Sequence, residues 1–156
     1  MTRVCIASSH RPSARRTSRT SGFSLMEVMI VMTIMGVLIA MAAPTFQRAL
    51  EQSRADVAGA NLRAIWSAER IYWLENHVFS SDLSELQGLG LVDPTIVSAG
   101  TFYSYAISGA DSTSFTATAT RGGSSRWTGG FNIDQTGVCG GSVDADGEAS
   151  IEPGYQ

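Results

Sequence analysis

The sequence predicts an α+β fold in which a long N-terminal helix, apolar enough over its first half to span a membrane, packs on a small antiparallel β-sheet. Three observations lead there. From Phe23 to Ala43 the chain is an apolar run in which Glu27 carries the only charge. From Thr45 to about Asn76, apolar and polar residues recur at helical spacing. Beyond residue 100, short period-two segments are separated by turns rich in Gly and Asp.

The first stretch sets the length scale. Phe23–Ala43 is 21 residues. As a helix it is roughly 30 Å long, the thickness of a bilayer's hydrocarbon core. Its apolar side chains surround the helix axis instead of forming a stripe, so it belongs in lipid or in a close-packed bundle. A lone ionised Glu27 within it costs on the order of 3 kcal/mol and calls for a partner or a function. Ser24 and Glu27 also have the spacing of a capping box, and a carboxylate suits the positive end of a helix.

Charge is divided sharply. Arg3, Arg11, Arg15, Arg16 and Arg19 precede Gly22, where there is no acid. All 14 acids follow it, against six arginines and no lysine, a formal −8 for the remainder. Arginines ahead of an apolar segment place that end in the cytoplasm. The acidic remainder lacks the basic patch that nucleic-acid binding needs.

A basic leader ending in Gly22, then Phe23, then Glu27 as the fifth residue after the glycine, then a long apolar helix with Pro44 near its end, closely resembles the type IV pilin and type II secretion pseudopilin family. The resemblance covers about residues 15–45. It implies a leader, residues 1–22, removed by a membrane aspartyl peptidase that cuts after Gly22 and methylates the amine of Phe23. It implies that Glu27 guides subunits into a helical homo-oligomeric filament, pairing with the amine of its own chain or of a neighbour. The implied partners are that prepilin peptidase and N-methyltransferase, an inner-membrane assembly platform and the membrane. The implied location is the inner membrane before assembly, with a cytoplasmic N-terminus, and then a periplasmic or cell-surface filament. The domains expected are the leader, a filament-core helix over 23–46 and a soluble domain over 47–156. An ordinary secretory signal cut near Ala40-Met41-Ala42 is the competing reading, but the apolar run exceeds the 7–15 residues usual for such a core.

The remaining elements follow in order. Pro44 predicts a kink or local melting just before it. The amphipathic continuation carries Phe46, Leu50, Val57, Leu62, Ile65, Trp66, Tyr72 and Trp73 on its apolar face. Gln47, Arg48, Glu51, Arg54, Arg63 and Arg70 fill the polar one. Gly59 is a weak point. If continuous to Asn76, the helix is roughly 80 Å long, more than a small core requires. A turn at Asn76-His77 and a short helix capped by Ser81 or Asp82 come next. Gly88, Gly90 and Asp93-Pro94 then predict a loop. Strands are expected at Phe102–Ile107, through Phe115, Ala117 and Ala119, at Phe131 and Ile133, and from Val138. Turns fall at Gly109–Asp111 and Asp134–Gly137, and residues 140–156 read as irregular.

Catalytic chemistry finds little support. His77 is the only histidine after the leader and has no placed nucleophile. Cys5 lies in the leader, leaving Cys139 alone. That departs from pilins that clamp their C-terminal region with a disulfide, and it leans toward shorter pilins and pseudopilins. Cys139 is expected in the core. No cofactor motif and no zinc spacing are present. Asp144, Asp146 and Glu148 surround a glycine turn and partly resemble the calcium loop of major pseudopilins, with a solvated Asp-Gly turn as the preferred reading. A membrane-tethered binding domain presenting Trp127 and its arginine-rich loop is the reading from a different class.

Overall fold

The computed structural model describes residues 22–98, 100 and 102–154. The expected leader, with Cys5 and its arginines, lies outside the described residues apart from Gly22. The chain divides into two units, residues 1–41 and 42–156. Helix α1 spans Leu25–Asn76. Helical backbone runs through position 44 without a break, so the local melting expected there does not occur.

In the first unit every described residue is exposed, and α1 there is long and apolar enough to cross a membrane. Leu25, Met29, Met32 and Ile39 are all open, as expected of a helix that is apolar on every side.

In the second unit α1 buries Glu51, Ala55, Ala58, Leu62, Ile65 and Glu69. Steps of three and four residues make this one continuous stripe. The stripe differs from the expected face. Phe46, Leu50 and Val57 are 65%, 42% and 58% exposed. Ala55, Ala58 and Ala68 take their place because the facing elements approach closely. Gly59 belongs to this close approach, since a Cβ there would sit 3.0 Å from Pro153. Glu51, expected on the polar face, is fully buried.

α1 ends at Asn76 as the sequence predicts. His77 adopts a left-handed conformation (φ 57°) and donates its amide to the Trp73 carbonyl at 2.8 Å, closing the helix. Helix α2 spans Leu83–Gly88, with the Asp82 carboxylate accepting the Ser84 amide at 2.8 Å as its cap. The expected loop at Asp93-Pro94 is instead a third helix, α3, Pro94–Val97. Asp93 accepts the Thr95 amide at 2.8 Å, and proline occupies the first turn, where its missing N–H costs nothing.

Strands β1 (Tyr103–Ser108), β2 (Thr116–Arg121), β3 (Thr128–Asp134) and β4 (Cys139–Asp144) form an antiparallel meander in that spatial order. Phe115, Ala117, Ala119, Phe131 and Ile133 point inward and the intervening threonines point out, matching the predicted alternation. The core joins these residues to Leu62, Ile65, Leu86 and Ile151.

β4 begins where a strand was expected, from Val138, and its run to Asp144 corrects the irregular reading at the start of 140–156. Its register sets Phe131 opposite Gly141 and Asn132 opposite Gly140. A Cβ on Gly141, at φ 95°, would lie 2.4 Å from the Gly130 carbonyl oxygen. Here glycine is a condition of close strand approach and not a sign of a loop. Near the end of β4, Val143 exchanges both amide hydrogen bonds with Ile151 at 2.9 Å. The tail then returns to α1. Gln52 donates to the Glu152 carbonyl at 2.8 Å, and the Gly154 amide donates to Asp56 at 2.9 Å.

Candidate functional site at the start of the long helix

The sequence-predicted site residues lie at the N-terminal end of α1. Gly22 and Phe23 precede the helix, in chain without regular secondary structure. Nothing lies within 4 Å of a side chain built on Gly22, and Phe23 is 80% exposed. The Ser24 carbonyl accepts the amides of Glu27 at 3.0 Å and Val28 at 3.2 Å, which starts the helix. Glu27 stands in the first turn, exposed among Leu25, Met26 and Ile30. No side-chain hydrogen bond joins Ser24 to Glu27 among the described residues, so the reciprocal capping box does not form. The arrangement supplies one carboxylate near the positive end of a helix.

A family profile described as the prokaryotic N-terminal methylation motif matches residues 17–43. The type IV major pilin protein PilA of Myxococcus xanthus is 34% identical over 73 residues, 47% of this chain and 33% of its own length. The type II secretion system core protein G of Pseudomonas aeruginosa is 35% identical over 69 residues, 44% of this chain and 49% of its own length. Its Escherichia coli counterpart is 31% identical over 75 residues, 48% and 52% respectively. Over residues 17–43 this chain carries the prokaryotic N-terminal methylation motif, and about half of it is similar to a type IV major pilin and to type II secretion core proteins G. The matched segments span a third to about half of those relatives' own lengths.

The remaining candidates take structural places. Cys139 is buried in the core, and burial pushes its thiol pKa up against a lowering pull from Arg63. His77 meets Trp73 edge-on, with ring centroids 5.9 Å apart. Asp144 accepts the Ser142 hydroxyl at 3.1 Å, while Glu148 pairs with Arg126. No three His, Cys, Asp or Glu side chains gather as a metal-holding set among the described residues. Trp127 is 5% exposed and belongs to the core. That removes the presented indole on which the tethered-binding reading rested.

Sequence reasoning missed two buried acids. Glu51 is held by Arg121 of β2 and by Arg54. Glu69 is fully buried and takes one hydrogen bond, from the Ser80 amide at 2.9 Å. The available signal was position. Glu51, Leu62, Ile65 and Glu69 all keep the three-four spacing of one stripe, so an acid on that stripe faces the sheet.

Proposed function

We propose that the chain is the structural subunit of a type IV pilus-like filament. The observation that carries this reading is the exposed apolar surface of Phe23–Phe46 with Glu27 as its one charge. Such a surface needs lipid before assembly and neighbouring helices after it. In this reading the leader, residues 1–22, is cut after Gly22 by the prepilin peptidase, which methylates Phe23. The subunit waits in the inner membrane with its N-terminus cytoplasmic, then passes through an assembly platform into a homo-oligomeric filament on the periplasmic side or the cell surface. Residues 23–46 form the filament core, and 47–156 the soluble domain. Burial against neighbours stabilises the filament at roughly 25 cal/mol per Å² of apolar surface. Glu27 sets register more than net stability, because buried ion pairs do little better than break even.

Mass spectrometry of the mature N-terminus tests the reading. A chain starting at methylated Phe23 is expected, and one starting after Ala42 or Ala43 would overturn it. Glu27→Ala is expected to leave processing intact and abolish assembly. Normal filaments from that variant would remove the role of Glu27.

A pseudopilin of type II secretion, a short periplasmic piston, is the second reading. It is favoured by the absence of a second cysteine after Gly22 and by the likeness to two type II secretion core proteins G. Surface filaments at native expression decide for the pilus, and their absence together with a secretion defect on deletion decides for the pseudopilin.

A further inference from the structure

Glu69 sits where α1 meets the segment that leaves it. Its side chain is wholly buried. Oε2 accepts the Ser80 amide at 2.9 Å, and Oε1 is buried with no partner. No ion pair reaches it among the described residues. A second carboxylate faces the same serine. The Ser80 hydroxyl donates to Glu85 Oε2 at 2.7 Å, and the Tyr72 hydroxyl donates to Glu85 Oε1 at 2.8 Å. The titratable groups whose fields Glu69 shares are thus Glu85 from α2 and Tyr72 from α1 itself. Neither supplies positive charge.

A buried carboxylate with one hydrogen bond, one orphaned oxygen and an acid beside it is costly in its charged form. The neutral acid is not. Residues 77–88 carry both Ser80, which bonds Glu69, and Glu85, which bonds Ser80. Ser80 joins the turn after α1 to Glu69, and Glu85 brings α2 to Ser80. Opening that segment gives Glu69 access to water and separates it from Glu85.

We propose that Glu69 is a proton-operated latch: protonated, it holds residues 77–88 closed on α1, and ionised, it lets that segment open while the sheet stays folded. The direction follows from the surroundings. Burial raises the pKa of Glu69 to about 7, the Ser80 amide opposes the rise, and Glu85 adds to it. In the open segment the carboxyl returns to its ordinary 4.5. The closed form therefore holds a proton that the open form releases, and opening is favoured as pH rises between those values. Linkage puts the gain in opening between pH 5.5 and 8.5 at about 30-fold.

Hydrogen exchange on the detergent-solubilised full chain tests this, with protection factors corrected for the intrinsic pH dependence of exchange. In the native sequence the amides of residues 78–86 are expected to lose about 30-fold in protection from pH 5.5 to 8.5, while β2 and β3 keep theirs. Glu69→Gln retains an acceptor for the Ser80 amide and cannot ionise, so its protection is expected to hold at both pH values. Glu85→Gln is expected to shift the transition to lower pH and shrink it. Unchanged protection in the native chain, parallel loss in the sheet, or persistence of the transition in Glu69→Gln would each overturn the proposal. If Glu69→Gln does not fold, the carboxyl carbon of Glu69 in the native chain is followed by NMR. A midpoint near 7 supports the latch and one near 4.5 refutes it.

Discussion

Arg121, the last residue of β2, grips both carboxylate oxygens of Glu51 on α1. Its Nε–H donates to Oε1 at 2.5 Å and an Nη2–H donates to Oε2 at 3.1 Å, across 70 residues of sequence. Both side chains are buried, and Arg121 also donates to the Phe102 carbonyl at 3.1 Å. The fork fixes the position of the sheet along the helix, because a shift of either element by one residue breaks both bonds.

Removing one partner leaves the other charge buried. Arg121→Met is expected to destabilise the second unit by about 3 kcal/mol. The double variant Glu51→Leu/Arg121→Met is expected to recover most of that loss, since a buried pair and an apolar pair of similar volume are near equal. Urea denaturation of the solubilised chain measures both. Additive losses would show that the two groups are not coupled.

Two buried acids on one helix give opposite pH responses. Burial alone would raise the pKa of Glu51, but the hydrogen bonds and charges of Arg121 and Arg54 outweigh it and hold the carboxyl below its ordinary 4.5. Its stabilisation is present above that value and lost as pH falls through the folded one. Glu69, raised to about 7, stabilises the fold when protonated, and that contribution drains away between pH 4.5 and 7, up to about 3 kcal/mol. Melting temperature is therefore expected to peak in mildly acidic buffer, near pH 5. Glu69→Gln should flatten the alkaline side and Arg121→Met the acid side. A peak unmoved by either substitution would dissociate the pH response from these groups.

Gly137 closes the turn between β3 and β4 at φ 83°, and a Cβ there would lie 2.9 Å from the Trp66 ring. Gly147, at φ 78°, has open space around it. Gly147→Ala thus reports backbone strain alone, about 1 kcal/mol. Gly137→Ala adds displacement of the indole and is expected to cost about 2–3 kcal/mol. It should also weaken the 3.2 Å bond from Trp66 Nε1 to the Gln135 carbonyl. Denaturation midpoints and tryptophan fluorescence separate the two effects, and equal midpoints would exclude the steric contribution.

Cys139 is shielded by the core, and its thiol pKa is raised. Alkylation by iodoacetamide at pH 8 is expected to be at least about 100-fold slower in the folded chain than in urea. Comparable rates would place the thiol at the surface.

What could be read from the sequence depended on whether a residue's chemistry matched its place. Asn76, Asp82 and the Asp134–Gly137 turn obey local rules, so the end of α1, the cap of α2 and the turn after β3 were all legible. The alternation of Phe115, Ala117 and Ala119 exposed β2 for the same reason. The helix face was misjudged because hydrophobic size drew attention to Phe46, Leu50 and Val57, whereas close packing selected Ala55 and Ala58. Glu51 and Glu69 were hidden because an acid is ordinarily solvated, and only partners 70 and 11 residues away reveal otherwise. The extent of β4 was hidden: a strand was expected from Val138, but Gly140 and Gly141 carry no strand propensity and serve to let Phe131 approach. At the start of α1 the motif around Gly22, Phe23 and Glu27 is local in sequence, and the methylation-motif profile matches the same stretch, residues 17–43.

The return of residues 151–154 to α1 has a consequence for the order of events during synthesis. Residues 52–59 are made nearly a hundred positions before the segment that covers them, so this patch of helix stays bare throughout the growth of the sheet. A chain interrupted before Ile151 leaves β4 without its bridge, Asp56 without the Gly154 amide and Gly59 without Pro153. Folding maturity is thereby registered at a single spot. A protease or chaperone that samples Gln52, Asp56 and Gly59 would meet them bare on every unfinished molecule and contacted by residues 152–154 on every finished one.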